Sequence, residues 1–188
     1  MGTEIVTRLT YDEFRQLPDD GKRYELIHGE VHVFPSPNTK HQRSLWNLSV
    51  NLGVYAKSHD VGRFYFAPLD ALLAADTALQ PDLVLVSREH VGIIRESGIA
   101  GSPDLVVEIL SPSTAAHHRA TKLALYADAS VPWVWFLDPE AKTVEALKLE
   151  GKRYFVDSIL AGDQILTSSI FPGWQVPLNE VFDFRNRF

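Results

Sequence analysis

The alternation of apolar and polar positions changes period several times along the chain, and each change marks an element boundary. Thr10 to Leu17 reads as a short helix, with Thr10 as cap and Glu13 completing a capping box before Pro18-Asp19-Asp20-Gly21 ends it. Arg23 to His28 and Glu30 to Phe34 read as strands joined tightly at Gly29. After the break at Pro35-Ser36-Pro37-Asn38, Leu45, Leu48, Leu52 and Tyr55 fall on one stripe, which predicts an amphipathic helix from Thr39 to His59.

Strand patterns then return. Gly62 to Ala67 and Leu69 to Ala74 predict two strands, while the apolar runs Leu83 to Val86 and Leu105 to Leu110 suit strands covered on both faces. Thr114 to Ala129 is helical in pattern with Ser113 or Thr114 as cap, and Trp133 to Leu137 rejoins the sheet. Thr143 to Leu149 and Arg153 to Leu160 suit a hairpin around Gly151, followed by an irregular tail containing Pro172-Gly173 and Pro177. Interleaved strands and helices give an expected α/β class with a mixed sheet, in one domain over residues 1–188.

Glu108 breaks this pattern, because every neighbour in Leu105 to Leu110 argues for burial. A buried ionised carboxylate is costly unless a cation, hydrogen bonds or a metal compensates it. A second carboxylate, Asp82, follows Gln80-Pro81 at the start of the other buried run, and the two converge if their strands are neighbours. Paired carboxylates without cysteine favour Mg²⁺ or Mn²⁺ over zinc, and such an ion suits phosphodiester hydrolysis. Lys122, on the helix after the Glu108 strand, could orient or deprotonate the attacking water. Plainer roles stand beside these: a solvated helical lysine, a strand-end aspartate, and a Glu108 paired with Arg63 or Arg119. Glu25 shares a strand face with Ile27, which on an edge strand would mean no more than a charge facing water.

The absence of cysteine from the 188 residues removes disulfides, thiolate metal sites and thiol nucleophiles. Adjacent His117-His118 diverge on a helix, and His28 with His32 lack further ligands at zinc spacing. There is no Gly-x-Ser-x-Gly elbow and no glycine-rich phosphate loop. A net charge of −6 opposes loose attachment to nucleic acid, although Lys40, His41 and Arg43 or His117, His118, Arg119 and Lys122 could supply local basic surface. No apolar run is long enough to span a bilayer, and Met1-Gly2-Thr3-Glu4 does not begin a leader, so the expectation is a cytoplasmic protein with no membrane partner.

Taken together, Arg23-Tyr24-Glu25-Leu26-Ile27-His28-Gly29-Glu30-Val31, Gln80-Pro81-Asp82-Leu83, Val106 to Thr114, Lys122 with Leu125-Tyr126, and Asp138-Pro139 resemble the Uma2 family over roughly residues 8–182. The resemblance implies a restriction-endonuclease-like fold of the PD-(D/E)XK superfamily, a central mixed sheet flanked by helices. It implies a metal-dependent DNA endonuclease in which Asp82, Glu108, the Ile109 carbonyl and Glu25 bind Mg²⁺ or Mn²⁺ and Lys122 is the lysine. In the usual signature that lysine stands two residues after the glutamate, where this chain has Leu110. The family commonly has an acidic residue at His118 and often one at His28, which implies weaker metal binding or altered specificity here; His118, one turn before Lys122, could join the site. Two other readings stay open: a nucleic-acid-binding or regulatory protein without catalysis, and a hydrolase of small phosphorylated compounds. A homodimer would suit two cuts in duplex DNA; Trp133, Trp135 and Trp174 are candidates for its surface, and core packing explains them as well.

Overall fold

A computed structural model describes residues 8–18, 20–111 and 115–184, and the side chains of all of these but 115–118. Helix α1 (Tyr11–Phe14) opens on the expected capping box, but its last turn stops at Arg15, since only Tyr11 and Phe14 have a core to enter. Strands β1 (Arg23–Ile27) and β2 (Glu30–Phe34) form the expected hairpin. Its two turn residues, His28 and Gly29, both take positive φ, at 51° and 81°. A Cβ on Gly29 would stand 2.7 Å from that of Arg8, so only glycine fits there without a shift.

Helix α2 (Thr39–His59) has the predicted bounds. Asn38 caps it by accepting the His41 N–H at 2.9 Å. Five strands follow as β3 (Gly62–Phe66), β4 (Ala71–Ala74), β5 (Thr77–Leu79), β6 (Leu83–Ser87) and β7 (Ile94–Arg95). Next come β8 (Gly98–Ala100), β9 (Leu105–Ile109), helix α3 (Ala115–Asp128) and β10 (Trp133–Asp138). The proposed caps Ser113 and Thr114 lie outside the described residues. The hairpin is β11 (Thr143–Glu150) with β12 (Arg153–Ala161), and the tail holds β13 (Ile165–Thr167), β14 (Gln175–Pro177) and α4 (Leu178–Val181).

The central sheet runs β12-β11-β10-β9-β6-β3. It is mixed, because β9 and β10 are parallel and joined through α3 while their outer neighbours are antiparallel. A second sheet, β2-β1-β5-β4-β8-β7, collects the first hairpin and several short strands. Alternation along β9 sorts the core. Leu105, Val107 and Ile109 pack with Leu45, Leu48 and Leu52 of α2, whereas Val106 packs with Leu125 and Tyr126 of α3. Glu108 shares the Val106 parity, which turns its carboxylate toward α3. The tail is more ordered than its sequence suggested: Phe171, Trp174 and Val176 close the α2 side against Trp135. Trp135 and Trp174 are therefore core residues, and Trp46 is the exposed tryptophan of α2. Among the described residues no helix is long and apolar enough to cross a membrane.

Candidate active site

The alternation that buries Glu108 also decides what meets it. From α3, Lys122 places its Nζ 2.9 Å and 3.0 Å from the two Glu108 carboxylate oxygens, and Tyr126, one turn later, donates its hydroxyl to Glu108 Oε1. The same Nζ lies 2.9 Å from Glu25 Oε1, so one ammonium ties β9 to β1. Glu25, Glu108 and Lys122 are all buried.

Strand β6 pairs antiparallel with β9, Leu83 facing Val107, which brings Asp82 to the level of Glu108. One Asp82 oxygen accepts the Ile109 N–H at 2.7 Å. The other stands 3.2 Å from both Arg23 Nη1 and His41 Nε2. Arg23 shares a strand face with Glu25, approaches its Oε1 at 3.4 Å, and donates to the Gln80 carbonyl. Glu25 Oε1 also accepts the Gln80 N–H at 3.1 Å. Among the described residues, three buried side-chain atoms of this cluster lack a hydrogen-bond partner, Glu25 Oε2, Arg23 Nε and Gln80 Oε1. The Phe34 ring covers the cations, 5.3 Å from Lys122 Nζ and 5.9 Å from Arg23 Cζ.

Burial pushes the Asp82 carboxyl up, but His41, Arg23 and the Ile109 N–H outweigh it and hold the group below its usual range. At Glu108 burial wins: Lys122 pulls the acidity back, yet the Asp82 and Glu25 charges add to burial and the carboxyl is raised. Burial alone would lower Lys122, but Glu108 and Glu25 raise it, so it is an ammonium. Buried Tyr126, against Glu108, is held well above the usual phenol range and stays a donor.

The structure thus brings together all four residues singled out in the sequence, Glu25, Asp82, Glu108 and Lys122. Ile109 meets the cluster through its N–H. The His118 side chain lies outside the described residues. Arg63 and Arg119 do not pair with Glu108: Arg119 binds Glu145 at 2.6 Å over the Phe136 ring, and Arg63 turns to the Gly62 carbonyl. Arg23, His41 and Tyr126 were not foreseen as site residues. Strand parity with Glu25 could have flagged Arg23, and the four-residue spacing from Lys122 could have flagged Tyr126. His41 carried no such local signal.

The donor types fit a hard divalent cation, three carboxylates with one buried oxygen unpartnered. As packed, however, cations stand between the carboxylates, and among the described residues no three His, Asp or Glu side chains gather at common ligand spacing. Two of the basic residues proposed to meet a phosphate backbone are engaged elsewhere, Lys40 with Glu140 at 2.6 Å and Arg119 with Glu145, while His41 is buried against Asp82.

A model of the Uma2 family, described as "Putative restriction endonuclease", matches residues 11–179. A solved structure described as a "putative nuclease belonging to DUF820", from Anabaena variabilis, superposes with a TM-score of 0.75 at 21% identity, covering 93% of this chain and 98% of that one. The two share the fold, a mixed α/β architecture with mixed sheets flanked by helices. No curated protein matches the chain.

Proposed function

Because the chain belongs to the Uma2 family, we propose that it is a metal-dependent endonuclease that hydrolyses DNA phosphodiester bonds at the Glu25, Asp82, Glu108 and Lys122 cluster. The observation that carries this reading is the convergence of three carboxylates and one lysine from four separate elements at one buried junction. Structures are costly to build around buried charge unless the charge is used or fully compensated. Asp82, Glu108 and Glu25 are the residues that would hold Mg²⁺ or Mn²⁺, with the Ile109 carbonyl as a further oxygen donor. The chemistry such an ion supplies when bound is acidification of water and neutralisation of charge on phosphoryl oxygens.

The chain's own residues divide the remaining work. Lys122, kept protonated by Glu108 and Glu25, orients the water and the scissile phosphate by charge and hydrogen bonds rather than by taking a proton. Tyr126 holds one Glu108 oxygen and fixes the rotamer of that carboxylate. His41 and the Ile109 N–H hold Asp82 ionised. A homodimer would suit paired cuts in duplex DNA.

A second reading is favoured by one specific observation. Glu25, Asp82, Glu108 and Lys122 are all less than a tenth exposed and Phe34 lies over the cations, which suits a small phosphorylated compound better than a duplex.

Supercoiled plasmid incubated with Mg²⁺ or Mn²⁺ tests the first reading, comparing the native protein with Asp82→Ala purified identically. Nicking by the native protein alone is the expected result. If neither nicks while the native protein releases nitrophenol from bis-nitrophenyl phosphate, the small-substrate reading replaces it. Inactivity on both leaves a binding or regulatory protein on this fold.

A further inference from the structure

A cation already sits among the three carboxylates, and it comes from the chain itself. Arg23 reaches in from β1 with Nη1 3.2 Å from Asp82 and Nη2 3.4 Å from Glu25, its side chain 19% exposed against 4% and 0% for those two partners. We propose that Arg23 is the resident counter-cation of this pocket and that a divalent metal enters by displacing its guanidinium toward solvent. The inference rests on the metal-binding reading above and adds how that binding is gated.

Charge balance supports it. Among the described residues the three carboxylates Glu25, Asp82 and Glu108 share two Lys or Arg side chains, Arg23 and Lys122, so a divalent ion in place of Arg23 would bring more positive charge to the same oxygens. Hydrogen bonding supports it as well. A planar guanidinium needs its donors met in fixed directions, yet Arg23 Nε and Glu25 Oε2 are both buried without a partner. The fork therefore fits this pocket imperfectly, whereas a metal ion draws oxygens from any direction its coordination shell allows. Position matters too. Lys122 is locked between Glu25 and Glu108 on a helix, while Arg23 begins a strand at the pocket's rim, so Arg23 is the cation that can leave. Displacement would also remove the Arg23 contacts from Asp82 Oδ1 and Glu25 Oε1, leaving His41 on the first and Lys122 with the Gln80 N–H on the second.

Mn²⁺ titration calorimetry on the native protein, Arg23→Gln and Arg23→Lys tests the exchange without reference to activity. Removing a resident charge that competes for the same oxygens is expected to tighten Mn²⁺ binding about tenfold or more in Arg23→Gln, with Arg23→Lys between. Binding by the native protein that is equal or tighter than in both variants would overturn the inference while leaving the metal reading intact. Absence of binding in all three would sink both. Since Arg23→Gln could fail to fold, the native protein labelled with ¹⁵N gives a second readout through its arginine Nε–H resonances, with Arg23 assigned from Arg23→Lys. The Arg23 signal is expected to move in step with Mg²⁺ saturation, and a signal that stays fixed while the site fills would refute displacement.

Discussion

Asp82, just ahead of β6, and Glu108, in the neighbouring β9, are both buried, and their acidities move in opposite directions. The Asp82 end has a backbone N–H, an imidazole and a guanidinium arriving from three different elements. The Glu108 end has one lysine and one phenol from a single helix, and it shares the lysine with Glu25. Burial depth therefore does not by itself set the direction of the shift here. What decides is how many donors the fold commits to each carboxylate and how many like charges look on.

Removing the shared lysine breaks the comparison hardest. Lys122→Met leaves Glu108 and Glu25 buried without their cation and is expected to cost about 3–5 kcal/mol in urea unfolding near neutral pH; a loss under about 1 kcal/mol would mean that Glu108 is already neutral. Asp82→Asn is expected to cost about 2–3 kcal/mol by the same measurement, because Arg23 and His41 lose their common partner. Tyr126→Phe is milder, about 1–2 kcal/mol in thermal unfolding, since Lys122 still compensates Glu108.

The pH dependence is the finest of these tests. The stability due to the lowered Asp82 is present above its ordinary value of 3.8 and lost as pH falls through the native one. For the raised Glu108 the sign reverses: its contribution is full below 4.5 and lost as pH rises through the native value. Urea midpoints from about pH 3 to about pH 7 should therefore lose part of their acid-side fall in Asp82→Asn and part of their fall above 4.5 in Glu108→Gln. Identical profiles for the two variants would erase the distinction between the two ends.

The parts of this arrangement visible in sequence are those where chemistry violates pattern. Glu108 inside an unbroken apolar run and Asp82 at the head of another could be read from residues alone, and long periodic segments such as α2 kept their bounds. Lys122 owed its weight to family resemblance, because a lysine on an amphipathic helix has no signature until its partner strand is known. His41 depended on the tertiary approach of the α2 N-terminus to β6, which no local spacing records. The second sheet was hidden for another reason: β5, β7 and β8 are two or three residues long, shorter than any period can register, and their pairing is tertiary. The tail looked irregular since its prolines and glycine mask positions that are apolar because they cover the α2 side of the core.

The bond between Lys122 and Glu25 joins residues 97 positions apart, and the other contacts of the cluster draw on segments scattered between them. Closing a loop of that length carries an entropy cost that the local contacts of a hairpin or a helix do not. The acids can therefore lose their water together only when β1, the head of β6, β9 and α3 are all in place. A chain that misplaces any one of these would have neither the compensated acids nor the site.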